Sequence, residues 1–582
     1  MICPLKLSPQ HFTAILYFTH LFPTASKARQ DLTSSPTLTT LIVLLFSLLL
    51  TVLSSHILLR QVLKMVHAQP FQHDVEFPPY DRYNQELLSH VHPPNWANPA
   101  PAKTYDLVVI GAGTAGLVVA AGAAGLKIGL KIALVEKHLM GGDCLNVGCV
   151  PSKCIIRSSR VAADMRNAKP YGINSPENVE VDFSAVMERM RRLRAGISHH
   201  DSVKRFSDLG IDVFLGSASF SGNSTVQVGD RTLHYKKAVI ATGARAVRPR
   251  VPGLEEAGYL TNETVFGLTE QPKRLAVIGG GPIGCELAQA FHRLGSQVTL
   301  IHKNGHLLDK EDPEAAEIVQ HQLVKDGLDL VLSAKLTRVE STPAGKVLHY
   351  DLGNGRQGST VVDEILIGAG RQPNVDNLGL EAVGVDYDPR RGVKVNEYLQ
   401  TSNPKIFAAG DICMDWKFTH AADAAARIVI KNTLFAPFGL GKSKYTDLVM
   451  PWVTFTAPEI AHVGHYEREA RRQGIEYETI KIPMSSVDRA IADGQTEGFL
   501  KVMYKKGSDE ILGATIVAEN AGDMISEITT AIVNKIGLSK LSSVIHPYPT
   551  QAEVIKKAAD GYRRTLLTPR SQKLLKLLTK FA

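Results

Sequence analysis

Cysteine is scarce. The 582 residues hold six, Cys3, Cys144, Cys149, Cys154, Cys285 and Cys413, far too few to staple a secreted disulfide scaffold. Acidic residues are scarce at both ends. Residues 1–73 contain one, Asp31, and none follows Asp560, where Arg563, Arg564, Arg570, Lys573, Lys576 and Lys580 stand. The net charge of +8 is therefore unevenly spread and argues only weakly for nucleic acid; no nucleic-acid partner is expected. A mean hydropathy of −0.03 excludes a polytopic membrane protein, though not a single span. Nor is the composition extreme. Hydrophobic residues at 44% and charged residues at 21% exclude a wholly disordered or fibrous chain, and the length calls for several domains.

Residues 32–59 carry no charge, and residues 40–59 read TLIVLLFSLLLTVLSSHILL. That is about the 20 apolar residues a membrane helix needs. Residues 1–64 are therefore expected to be a hydrophobic anchor or targeting segment, with membrane association through residues 40–59. Lys27 and Arg29 precede the run, and Arg60 and Lys64 follow it more closely. This favours a catalytic part in a reducing compartment, the cytosol first. The alternatives are an organelle transit segment (plastid or mitochondrion) or a chain that begins at Met65. Residues 65–103, rich in Pro, His and Asn, read as a linker or a strap over the surface. The basic tail, residues 571–582, reads as a solvated helix, with an anionic membrane surface or an acidic partner as the alternative.

From Tyr105 the pattern changes. YDLVVI is a short apolar strand, followed by Gly111-x-Gly113-x-x-Gly116 and a helix of small residues. The next strand, IALVEK, contains Glu136 about 20 residues on. This is a dinucleotide fingerprint in its required context of strand, turn, helix and acid. The helix N-terminus supports phosphate charge, and Glu136 is placed to accept from a ribose hydroxyl. LKIGLKIAL, between helix and second strand, looks like a local duplication that lengthens a surface loop. A second copy, Gly279-x-Gly281-x-x-Gly284, follows the strand RLAVI. Its second strand ends in His302 and Lys303 in place of an acid, and such groups suit the 2′-phosphate of NADP. FAD or NAD is expected at the first copy and NADPH at the second, with NADH as the alternative. Two dinucleotide sites in one chain imply electron relay between cofactors.

Just after the first fingerprint comes Gly141-Gly142-Asp143-Cys144-Leu-Asn-Val-Gly-Cys149-Val-Pro151-Ser-Lys153. Zinc would need further Cys or His ligands, and only Cys154 is adjacent. A redox pair fits better. Two cysteines five apart at a helix start can close a disulfide, and the helix terminus lowers a thiolate pKa. Exchange needs one exposed attacking sulfur and one resting against the electron donor.

The Cys-x4-Cys-x-Pro-Ser-Lys string behind such a fingerprint resembles the class I pyridine nucleotide-disulfide oxidoreductases, which include dihydrolipoamide dehydrogenase, glutathione reductase and mercuric reductase. The resemblance covers about residues 104–565. It implies an α/β fold: two Rossmann-like dinucleotide-binding domains, for FAD and NAD(P), plus a C-terminal α+β dimerisation domain. The expected parts are an FAD-binding domain at 104–270 and 376–447, an NAD(P)-binding domain at 271–375 and a dimerisation domain at 448–570. The resemblance makes Cys144 the interchange thiol and Cys149 the charge-transfer thiol beside the flavin, with Lys153 near the flavin N5 region and paired with Glu286. It assigns Gly142, Thr242, Gly243, Gly410, Asp411 and His420 to the flavin, and Gly370 and Arg371 to the turn closing the nicotinamide domain.

In the same family the last domain completes each active site from the partner subunit of a homodimer. Its signature here is His546-Pro-Tyr548-Pro-Thr-Gln-Ala-Glu553. Disulfide reductases carry a His five residues before this Glu as acid/base, the carboxylate orienting the imidazole. Here that position is Tyr548, and a phenol with a reference pKa of about 10 is a poor base at neutral pH. His546 is the first substitute base to consider. Tyr548 resembles the mercuric reductase branch, although the C-terminal cysteine pair usual there is missing: the last cysteine is Cys413. The expected enzyme passes electrons from NADPH through FAD and the Cys144–Cys149 dithiol to a small thiophilic acceptor. Hg(II), held transiently by Cys144 and Cys149, is favoured. The alternatives are a dihydrolipoamide dehydrogenase or other disulfide reductase, and an inactive flavoprotein serving as a membrane-tethered binding subunit.

Overall fold

The computed structural model describes residues 75–581, apart from Ser175 and Glu177. The expected anchor or targeting segment, including residues 40–59, lies outside the described residues. Among the described residues no helix is long and apolar enough to cross a membrane.

The first sheet forms because its strands are short, apolar runs that can be buried on both faces. Tyr105–Ile110 lies in parallel between Ile132–Glu136 and Arg231–Ile240, with Val109 opposite Leu134 on one side and Val239 on the other. Asp212–Leu215 extends the far edge. The ten-residue strand Arg231–Ile240 is shared along its outer edge. Its first half pairs antiparallel with Thr225–Val228, and its second half pairs in parallel with Ile406–Ala408. The chain thus leaves this sheet and returns to it.

Between those visits lies a smaller parallel sheet, in the order Asp329–Val331, Gln297–Ile301, Arg274–Ile278, Glu364–Ile367. A three-stranded antiparallel sheet of residues 335–362 adjoins it in the chain. The last region is a five-stranded antiparallel sheet with Glu459–Gly464, Ile511–Ala518 and Phe499–Lys505 at its centre. Helices Ala521–Val533 and Glu553–Thr565 share its buried core.

Two boundaries change. The stretch read as a linker carries the helix Arg82–Val91, with Asn84, Leu87, Leu88 and Val91 fully buried. Asp81 caps it, its carboxylate accepting from the Tyr83 and Asn84 amides. Burying each of these aliphatic side chains is worth roughly 1.5–3 kcal/mol, which a surface strap would not recover. Pro, His and Asn flank this short apolar stripe and masked it in the composition. At the other end, the helix Pro569–Leu578 starts before residue 571, and none of its residues is buried. The duplicated LKIGLKIAL does lengthen a loop, with Ile128 exposed between Thr114–Gly125 and Ile132–Glu136.

Candidate active site

Both glycine turns have the same build. Gly111 sits at φ +102°, and a Cβ there would lie 2.4 Å from the Ala241 carbonyl oxygen; Gly279, at φ +117°, would meet the Gly368 carbonyl oxygen at 2.5 Å. An L side chain is excluded at each by conformation and by space together. Gly113 and Gly281 then occupy the N-caps of Thr114–Gly125 and Pro282–Arg293, and no side chain caps either helix. The first-turn N–H groups are left for an anion. Gly116 and Gly284 face the turn of their own motif. Gly142 packs against Gly113, so the redox loop begins on top of the first phosphate turn.

Glu136 is buried. One carboxylate oxygen accepts from the Ala112 amide at 2.7 Å and the other from the His138 amide at 2.8 Å. Each oxygen keeps a lone pair for a ribose hydroxyl. Burial pushes its pKa up against these two hydrogen bonds. In the second copy His302 takes the same place: its Nδ1 accepts from the Gly280 amide at 3.0 Å. That bond leaves the ring proton on Nε2, which is buried without a partner. Burial also lowers the His302 pKa, so the ring is neutral. His302 is thus a neutral N–H donor, and Lys303 beside it, exposed, is the cation.

The redox loop runs through the short helix Gly142–Asn146 into the long helix Cys149–Arg166. Cys149 is the first residue of the long helix, where aligned peptide dipoles favour a negative charge. Its pKa is lowered to about 6, chiefly by a hydrogen bond from Cys144, then by one from Thr419 and by the charge of Lys153. The Thr419 hydroxyl lies 3.4 Å from the sulfur. The same hydrogen bond, with burial, pushes the Cys144 thiol far up. The reduced pair therefore carries one negative charge, on Cys149, with the proton on Cys144. Electrostatics distinguishes the two sulfurs: Cys149 is the thiolate and Cys144 the thiol.

Lys153 Nζ donates to Glu286 at 2.8 Å and lies 4.3 Å from the centre of the Phe455 ring. The other Glu286 oxygen accepts from the Phe455 amide. This buried carboxylate thus ties the redox helix, the second dinucleotide helix and the last domain together.

The pattern described as pyridine nucleotide-disulphide oxidoreductase matches residues 105–426, and that family's dimerisation domain matches residues 450–559. The chain belongs to this family. It is 36% identical over 455 residues to a mercuric reductase of Staphylococcus aureus, covering 78% of this chain and 82% of that protein. It is 34% identical to a dihydrolipoyl dehydrogenase of Geobacillus stearothermophilus, covering 78% and 95%. Among solved structures it is similar to the HOCl-induced flavoprotein disulfide reductase RclA from Escherichia coli, at TM-score 0.69, 28% identity and coverage of 78% and 99%. The Cu(II) complex of that protein is matched at TM-score 0.70 and 27% identity, covering 80% and 100%.

An oxidoreductase of this family uses FAD and a nicotinamide dinucleotide, and the residues present fit both. The first turn offers an uncapped helix and a buried acceptor. Further along, Arg371 is held between Asp143 and Asp411 and donates to the Ala244 carbonyl at 2.6 Å. Gly410 lies against Ala115 at the start of the first helix. Thr242 and Gly243 are tied to Asn374, which binds both of their carbonyls and accepts from the Thr242 hydroxyl through its own. Gly370 hydrogen-bonds through its carbonyl to Val247. His420 Nε2 lies 2.7 Å from the Pro451 carbonyl, so its neighbour Thr419 is the residue that faces the thiolate. Sequence reasoning passed over Thr419, although it stood inside the quoted Phe418-Thr-His420 string. It also missed Asp143 as a partner of Arg371.

The last domain carries His546, Tyr548 and Glu553. The Tyr548 hydroxyl donates to Asp488 at 2.9 Å. One Glu553 oxygen is buried without a hydrogen-bond partner, and the other lies 3.6 Å from Lys557. The substitute base, His546, is tied through Nε2 to Glu527 at 3.0 Å, its side chain nearly buried.

Proposed function

We propose that this oxidoreductase reduces a soft, thiophilic metal ion, Hg(II) first, with NADPH. The reaction balances as NADPH + Hg(II) → NADP⁺ + H⁺ + Hg(0). FAD, when bound, supplies the two-electron centre between the nicotinamide and the cysteine pair. Cys149 is already a thiolate near neutral pH, and a soft cation binding to both sulfurs displaces the proton of Cys144. Glu286 fixes the Lys153 ammonium beside the pair, where the lysine charge favours the Cys149 thiolate. Among the described residues no group of three or more His, Cys, Asp or Glu is placed to hold a metal ion, so the two sulfurs are the metal's protein ligands in this reading.

The observation that carries the reading is Tyr548. Its proton is committed to Asp488, which raises the phenol pKa, so it cannot take up the proton that dithiol–disulfide exchange must move. A metal ion needs no such base. The dimerisation-domain match supports a homodimer, and Tyr548 is proposed to face the partner's cysteine pair. The Cu(II) complex of RclA adds weight to a metal acceptor. Its description as a disulfide reductase, with the dihydrolipoyl dehydrogenase relatives, favours a disulfide as the second reading.

The test is NADPH-driven turnover with Hg(II), Cu(II), lipoamide, glutathione disulfide and quinones. Hg(II) is expected to turn over fastest, and Tyr548→Phe to slow it. Tyr548→His is expected to raise disulfide reduction, because Glu553 has an unpartnered oxygen for the new imidazole; acid/base help of this type is worth roughly 10²–10⁴-fold. Full-speed lipoamide reduction by the wild type, with Tyr548→Phe silent, would overturn the reading.

NADPH is proposed over NADH because the second turn presents His302 Nε2–H and Lys303 where an acid would repel a phosphate. A membrane anchor at residues 40–59, with the catalytic body in the cytosol, is proposed on the length of that apolar run. Alkaline carbonate extraction of membranes from expressing cells checks it: the full chain stays with the pellet, and its release refutes the anchor.

A further inference from the structure

Two helices of the first domain end at the same place. Gly410 lies against Ala115, near the start of Thr114–Gly125, and against Ala422, near the start of Thr419–Leu434. Further along, Gly122 meets Ile430. The helices therefore run side by side in one direction, away from the first glycine turn and the redox loop. The loop that leaves each C-terminus is apolar and exposed. After the first helix stand Leu126 and Ile128, 41% and 61% exposed; after the second stand Phe435 and Leu440, at 44% and 71%, with Phe438 between them fully exposed.

The second loop is a built feature. At its base the Asn432 amide donates to the Ser443 carbonyl at 2.8 Å, and the Ser443 N–H donates to Asn432 Oδ1 at 2.9 Å. Lys431 Nζ donates to Ser443 Oγ at 2.8 Å. At the tip the Gly439 and Leu440 amides donate to the Ala436 and Pro437 carbonyls. Phe438, Gly439 and Gly441 take left-handed φ values of +53°, +81° and +74°. A left-handed phenylalanine is strained, and its ring in water adds the cost of exposed apolar area. With the ring fully exposed, no contact within the fold offsets either. Clustered exposed apolar side chains of this kind mark interaction surfaces.

The rim is cationic. From Leu126 the chain runs through Lys131 into Ile132–Glu136, so the parallel strands start at the end where the loops lie. There Asp106 accepts from the Lys131 amide at 2.8 Å and from Lys236 Nζ at 2.6 Å. Lys237 Nζ donates to the Pro404 carbonyl at 3.0 Å, beside Lys405. Burial, then the like charges of Lys442 and Lys405, lowers the Lys237 pKa, so these three ammonium groups are near neighbours. The acids that pair with this rim, Asp106 and Glu397, are each held by a lysine of their own, Lys236 and Lys444. The face lies outside the dimerisation match, residues 450–559.

We propose that the end of the molecule formed by residues 126–131 and 435–444 docks on an anionic lipid surface, with Ile128, Phe438 and Leu440 entering the headgroup–acyl boundary and the lysines meeting lipid phosphates. Projecting apolar tips ringed by lysine suit that boundary, where buried area and charge attraction add. The first glycine turn and the redox loop, at the other end of the same helices, then face away from the bilayer. The proposal makes no use of residues 40–59.

The experiment reads the tip itself, in the full chain. Phe438→Trp is mixed with vesicles of equal parts phosphatidylcholine and phosphatidylglycerol, or of phosphatidylcholine alone, with or without bromine in the acyl chains. The bromine is expected to quench the new indole in the anionic vesicles, little in phosphatidylcholine, and less as salt rises. Ile173→Trp, also at an exposed position but beside the Tyr171 contact with Asp493 of the last domain, is expected to stay unquenched. Lys237→Ala with Lys442→Ala is expected to raise the lipid needed for half-quenching about tenfold. A chain that floats with the vesicles while the Phe438→Trp indole stays unquenched is held by another segment, such as residues 40–59, and overturns the proposal without touching that anchor. Equal quenching in phosphatidylcholine alone, or no binding at all, overturns it too. If Phe438→Glu with Leu440→Glu changes the oligomer size in sedimentation, the face belongs to a second copy and the proposal falls.

Discussion

The two dinucleotide turns are built on one plan and differ at one atom's role. In each, a side chain at the end of the second strand accepts from the amide after the first glycine: Glu136 from Ala112, His302 from Gly280. The acid then has lone pairs to spare, whereas the neutral imidazole has a proton to spare. Local backbone satisfaction is therefore common to both sites, and selectivity lies in what is left over. A carboxylate favours a hydroxyl and repels a phosphate, while an N–H tolerates the first and favours the second.

Swapping the leftover groups breaks or sharpens this comparison. The largest effect is expected at Glu136. Glu136→Ala orphans two amide donors in a buried turn, at about 1–3 kcal/mol each. The protein is expected to purify with little flavin and a lower Tm. Full flavin occupancy, read from the ratio of visible to protein absorbance, would show that the carboxylate is dispensable. A smaller effect is expected from His302→Glu. This variant keeps an acceptor for Gly280 and removes the spare donor, so stability should hold. The ratio of kcat/KM for NADPH to that for NADH should fall roughly ten- to hundredfold, the worth of a charged hydrogen bond. Lys303→Ala should move the same ratio only a few-fold and in a salt-dependent way, as exposed charges do. No change in either variant would place nucleotide selectivity elsewhere.

What could be read from the sequence follows the range of each interaction. The glycine turns, Glu136 and the cysteine pair were legible because fixed spacing along one strand–turn–helix unit determines their geometry. The Lys153–Glu286 contact spans distant positions and was legible only through family resemblance. Thr419 on Cys149 and Asp143 on Arg371 were not legible, since each joins separate elements through tertiary packing that no local spacing encodes. His302 was legible as a position but not as a charge state, because the amide that fixes its tautomer and the burial that keeps it neutral belong to the fold. Tyr548 stood out by its position, but Asp488, its partner, lies on another element and gave no local sign. The helix Arg82–Val91 went unread because its apolar stripe is only three side chains wide, amid residues typical of loops.

The return of the chain at Ile406–Ala408 to pair beside Val239 has a consequence in time. The first sheet cannot be completed when its own first half leaves the ribosome. The ~170 residues between those strands take on the order of 10–30 s to make at ordinary synthesis rates. Through that interval one edge of Arg231–Ile240 stays unpaired over its most apolar half, and an unpaired edge is an open template for another chain. The second dinucleotide domain is made meanwhile and can fold as a unit. Its compactness brings the two ends of a long loop closer together, lowering the closure entropy that the final strand must overcome.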